Sequence, residues 1–102
     1  MFDMFGKISE MKEKMASVKQ SLDTVDVTSQ SPDGRVKITM TANKTVKNVD
    51  IDRKLVTAEN TEELEDLLIV AINRTIEKAE TTAQEKIKDA TAGMLPNIPG
   101  LM

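Results

Sequence analysis

The sequence has no cysteine, histidine, tryptophan or tyrosine, and its only aromatic residues are Phe2 and Phe5. Without cysteine there is no disulfide, no thiol nucleophile and no thiolate-held metal. Without histidine the commonest general base and metal ligand is missing. No run of about 18 apolar residues occurs, so no membrane-spanning helix is expected. The opening, MFDMFGKISEMKEKM, carries charge throughout and lacks the apolar centre of a secretory signal, which gives a cytoplasmic expectation. No cofactor, metal or small-molecule substrate is expected. The formal charge is −3. Taken over the whole chain this opposes a nucleic-acid partner, because phosphate binding leaves a basic footprint. Only a local concentration of Lys and Arg would reverse that reading.

What is present is Val, Ile, Leu, Met and Ala in periodic order. The 102 residues suffice for one domain, residues 1–102. A chain this short buries a modest share of its surface, so association between copies is an expected source of stability.

In the first segment the apolar residues are Met4, Ile8, Met11, Met15, Val18, Leu22 and Val25. They alternate spacings of four and three, a heptad seam that predicts a long helix. Lys7 and Lys14 then stand at g positions, and Lys12 and Lys19 at e, so their stems flank the seam.

Three short strands follow. "VDVTSQ" puts Val25 and Val27 on one face, and "SPDG" reads as a turn, with Pro32 at its second position and Gly34 free to take positive φ. "RVKITMTA" alternates, with Val36, Ile38, Met40 and Ala42 on one face, of which Val36, Ile38 and Met40 are expected to face a helix. Asn43-Lys44 is a candidate tight turn because Asn tolerates the left-handed region. In "TVKNVDID", Val49 and Ile51 share a face and Val46 is out of phase. Either a bulge near Lys47-Asn48 or a late strand start resolves the mismatch. The three strands predict an antiparallel meander with one buried and one wet face.

A second long helix is predicted from Asn60 to about Ala92, with Gly93 as its stop. Asn60 and Glu63 match a capping box. Glu62, Glu63, Glu65 and Asp66 suit the positive end of the helix dipole. The apolar stripe is Leu68, Ile72, Ile76, Ala79, Ala83, Ile87, Ala90 and Met94, and it nearly follows an eleven-residue repeat. Leu64, Leu67, Ile69, Val70 and Ala71 widen it at the base. A base packed on the sheet and an arm packed on another helix are expected. The tail from about 94 to 102, "MLPNIPGLM", is apolar, cannot continue a helix, and is expected to be loosely ordered or a docking segment.

Candidate sites were sought among the polar residues. Asp50, Asp52 and Glu59 fit no metal-loop spacing, and the two aspartates alternate with Val49 and Ile51 on the wet side of a strand. No serine or threonine sits in a Gly-flanked elbow, and the fourteen Lys and Arg residues lie in polar contexts, so no enzyme is expected. The lysines of the helices are the more informative set. If the two long helices pair antiparallel, Lys7, Lys12 and Lys14 approach Lys86 and Lys88, and a basic patch forms on an acidic chain.

The order of elements, α-β-β-β-α in an α+β fold, resembles the YbaB/EbfC family of bacterial nucleoid-associated proteins. The resemblance runs through "MFGKISEMKEKM", "VKNVDIDRKLV", "EELEDLLIVAINRTIEKAE" and "AGMLPNIPGL". It implies a tweezer-like homodimer whose sheets meet at the centre and whose paired helices project as coiled-coil arms. It also implies non-enzymatic, weakly sequence-selective binding of duplex DNA in the nucleoid, with effects on chromosome organisation or gene expression. Lys7, Lys12, Lys14, Lys86 and Lys88 match the arm positions to which such contacts belong. The rival expectation is a protein-interaction module whose Met-rich arms grip a partner helix.

Overall fold

The computed structural model describes residues 4–92. Helix α1 (Met4–Ser21) leads through a 3₁₀ turn at Leu22–Thr24 into strands β1 (Asp26–Gln30), β2 (Val36–Thr41) and β3 (Val46–Ile51). Two more 3₁₀ turns, Arg53–Leu55 and Ala58–Asn60, lead into helix α2 (Thr61–Thr91). The sheet order is β1-β2-β3, and both pairings are antiparallel. The predicted α-β-β-β-α order and the antiparallel meander are therefore present. The predicted stop at Gly93 and the apolar tail lie outside the described residues.

Helix α1 is shorter than its seam. The heptad pattern runs to Val25, but the α-helix ends at Ser21. Local polar groups draw the chain off the helical path. The Ser21 hydroxyl donates to Val18 O at 2.6 Å, and the Thr24 hydroxyl donates to Ser21 O at 2.7 Å. Such back-bonding competes with continued helix. Leu22 is still buried, so the seam residue is used although the helix is not.

Strand β2 behaves as its alternation predicts. Val36, Ile38 and Met40 are buried in the core with Leu55, Ala71 and Ala79, and Ala42 just past the strand is buried as well. Full burial of a side chain such as Ile38 contributes about 1.5–3 kcal/mol. The opposite face is polar, and the Thr28 and Thr39 hydroxyls meet across it at 3.0 Å. Gly34 takes φ 75° as the Ser31–Gly34 turn requires, and its N–H donates to Ser31 O at 2.9 Å. The left-handed residue of the second turn is Lys44, φ 70°, rather than Asn43. Asn43 is held elsewhere, its amide donating to Lys19 O and to Asp23 Oδ1 at 2.8 and 2.7 Å. The bulge is real: Thr39 pairs with Asn48 and Met40 with Val46, which leaves Lys47 as the extra residue.

Helix α2 lies across β1 and β2 and along α1. Lys78 reaches Thr28 and Arg74 reaches Gln30, so β1 and α2 run in opposite directions. The predicted capping box does not form. Asn60 makes no side-chain cap, and its amide donates to Lys54 O at 3.2 Å. Glu63 accepts from Arg35 instead. The helix face that meets the sheet is also offset from the predicted stripe. Ala71, Thr75 and Ala79 are fully buried, while Ile72 is 36% exposed. Small side chains at i, i+4 and i+8 bring the helix close to the pleated surface, and the larger Ile side chains flank that line.

Candidate nucleic-acid interface

The helix directions decide which lysines share a region. Lys19 and Leu22 line one cleft with Ala83, Gln84 and Ile87. Because α1 approaches the sheet and α2 leaves it, each step back along α1 moves further out along α2. Lys12 and Lys14 stand about 8–10 Å beyond Lys19, and Lys7 about 18 Å beyond it. Lys86 and Lys88 stand at and just beyond the cleft on the facing helix. The pairing is thus antiparallel, and the five positions belong to one end of the molecule. Lys12, Lys14, Lys86 and Lys88 are exposed. Lys7 is placed on α1 by its backbone.

The cations of α2 divide into two groups that look alike in the sequence. Lys78 Nζ donates to Thr28 O at 2.9 Å, and Arg74 Nη1 donates to Gln30 O at 3.3 Å. These two cations are engaged by the sheet. Beyond residue 80 there is no sheet beneath α2, and Lys86 and Lys88 project from the arm. Among the described residues the ion pairs are Arg35–Asp33, Arg35–Glu63, Lys44–Glu80 and Lys47–Asp26. All four lie on or beside the sheet, and none involves Lys12, Lys14, Lys86 or Lys88.

Charge is unevenly distributed: on the outer part of α2, Glu85 and Asp89 balance Lys86 and Lys88, so the net positive charge lies on α1. Helix α1 carries four lysines against two glutamates, a net of +2. The first six residues of α2 carry four carboxylates and no cation. Glu65 and Lys86 are separated by about 30 Å along the helix axis. That is about three Debye lengths at 0.1 M salt, so the acidic base is screened from the arm under those conditions.

Asp33 has the largest resolved perturbation among the titrating groups. Its carboxylate accepts from Arg35 N at 3.1 Å, Arg35 Nε at 2.6 Å and the Ser31 hydroxyl at 2.9 Å. The bond from the Arg35 backbone N–H is the largest cause, and together they hold its pKa at about 2. This is a turn device, not acid–base chemistry: it fixes the chain before β2. Asp50 is on the wet side of β3, and Asp52 caps the next 3₁₀ turn by accepting from Lys54 N at 3.0 Å. Among the described residues no group of three acidic side chains converges as a metal site would.

Among the described residues, two apolar surfaces concern the site. Ile8, Met11 and Met15 line a groove of about 470 Å³ on α1, with Lys12 and Lys19 at its margins. On the sheet side, Val46 and Val49 of β3 and Ile69 of α2 are each about half exposed, at 51%, 46% and 57%. The alternation of β3 had implied burial for Val49. Helix α2 covers β1 and β2 but stops short of β3.

The chain is 48% identical over 99 residues to a nucleoid-associated protein of Flavobacterium johnsoniae, covering 96% of this chain and 91% of that protein. The crystal structure of an uncharacterized Helicobacter pylori protein shares the fold, with a TM-score of 0.70 at 22% identity, covering 91% of this chain and 94% of that one. No described helix is long and apolar enough to cross a membrane. The model of the YbaB/EbfC DNA-binding family matches residues 1–94, and the chain belongs to that family.

Proposed function

We propose that this protein binds duplex DNA as a homodimer, through Lys7, Lys12, Lys14, Lys86 and Lys88 on paired helical arms. It acts by binding rather than catalysis, in the cytoplasmic nucleoid, and it shapes chromosome organisation or gene expression. The observation that carries the reading is the charge distribution: in a net −3 chain, α1 carries a net +2 while the carboxylate run lies at the base of α2. Lysine ammonium groups on exposed helices meet phosphates as point charges and give little base readout, so sequence selectivity is low. The second copy covers the half-exposed Val46, Val49 and Ile69 beside the uncovered face of β3.

The test is an anisotropy titration with duplex DNA at 50 and 200 mM salt, beside a variant with all five lysines changed to Gln. Expected is binding that weakens with a slope of about −0.9 per phosphate neutralised, and that is lost in the variant. No binding at 50 mM by a folded dimer would remove the DNA reading. The open Met11–Met15 groove favours a second reading, an arm that grips an apolar partner helix. Such a grip would be nearly insensitive to salt.

A further inference from the structure

We infer that Arg74 and Lys78 close the outer edge of β1, so that copies of this chain join through β3 alone and form a closed pair instead of an open polymer. The inference rests on the two-copy reading above.

The register shows which backbone groups face outward. Val25 O accepts from Ala42 N, and Ser31 N donates to Val36 O, both at 2.8 Å. Odd positions along β1 therefore point at β2. In an antiparallel ladder, alternate residues turn both backbone groups away from the partner. Asp26, Thr28 and Gln30 are the outward residues. Two of their carbonyls are taken: Lys78 covers Thr28 O and Arg74 covers Gln30 O. The two cations stand four apart on one face of α2, and the acceptors stand two apart on β1. The helix and strand repeats match, since four helical residues rise about 6 Å and two strand residues about 6.5–7 Å.

The other edge is different. Asp52 N donates to Arg35 O at 2.8 Å, so beyond the bulge Asn48 and Asp50 point at β2 and Val49 and Ile51 turn their backbone groups outward. Among the described residues no hydrogen bond reaches that outer side. An exposed strand edge is a template for another strand. With both edges open, β1 of one copy could add to β3 of the next without end, whereas one edge that meets itself across a two-fold axis closes. The long cationic side chains of α2 remove the first option.

The test replaces the donors and keeps the stems: Arg74→Met with Lys78→Met, compared with the parent by sedimentation velocity over a hundredfold concentration range. Expected is at least a doubling of the weight-average mass at the upper end, reversed when Thr28→Pro is added. Proline at an outward edge position removes the N–H and obstructs pairing there. The exchange Arg74→Lys with Lys78→Arg retains donors at both positions and is expected to keep the parent mass. Lys78→Met alone serves if the double variant loses its circular dichroism. A folded variant with the parent mass throughout, or a mass increase that Thr28→Pro leaves in place, would overturn the inference. A monomeric parent would refute the two-copy reading, and the variant-to-parent comparison would still decide the edge.

Discussion

Asp33 carries the turn that starts the β2 pairing, and its effect on stability depends on pH. Its pKa in the fold, about 2, is below the ordinary value near 3.9. A depressed carboxylate stabilises the fold above its unfolded pKa, and the contribution disappears as pH falls through the folded value. The melting-temperature gap between the parent and Asp33→Asn should be full at pH 5–7 and should narrow between pH 4 and 2. A constant gap across that range would show that the charge is not what matters. Thr75 gives a second residue-scale prediction. It is fully buried, and its hydroxyl donates to Ala71 O at 2.7 Å within its own helix. Thr75→Val removes a satisfied donor and leaves an acceptor that still receives the helical N–H, so thermal melts should show a change within about 1 kcal/mol. Thr75→Leu forces extra volume between α2 and the sheet and should cost about 1–3 kcal/mol.

At the scale of elements, the strands differ in what covers them. Ile38 on central β2 is fully buried, and Ile38→Ala should cost about 2–5 kcal/mol in denaturant unfolding. Val49 on β3 is half exposed, and in the proposed pair Val49→Lys should halve the mass in solution while leaving the circular dichroism of the chain intact. Loss of secondary structure instead would mean that Val49 supports the subunit itself. These two strands also show how much of the molecule could be read from the sequence. β2 was legible because Val36, Ile38 and Met40 alternate without a break and have a neighbour on each side. β3 carries the same alternation, but burial also needs a covering layer, and nothing local to VKNVDI records where α2 stops. The start of α2 misled for a similar reason. Asn60 and Glu63 have capping spacing, yet Arg35, 28 residues away, takes Glu63. The arm lysines were legible as charges. Their division into Arg74 and Lys78 on β1, and Lys86 and Lys88 beyond it, was not, because a backbone carbonyl acceptor leaves no mark in side-chain chemistry.

At the scale of the whole molecule, the distribution of charge makes a prediction that a net value does not. Replacing Glu62, Glu65 and Asp66 with Gln, Gln and Asn spares Glu63 and its bond to Arg35. At about 0.01 M salt the screening length is about 30 Å, comparable with the distance to the arms, and the variant should bind DNA several-fold faster in stopped flow. At 0.15 M the two proteins should be indistinguishable. A difference that persists at 0.15 M would place the carboxylates in contact with DNA instead. The line of Ala71, Thr75 and Ala79 acts at this scale too. It seats α2 on the sheet, and from about residue 80 to Thr91, about 17 Å, the helix packs along α1 and the β2–β3 turn instead of on strands. A tilt of about 10° at the seat moves the tip by about 3 Å. Side-chain volume at Ala71, Thr75 and Ala79 therefore sets the angle at which the outer part of α2 leaves the sheet.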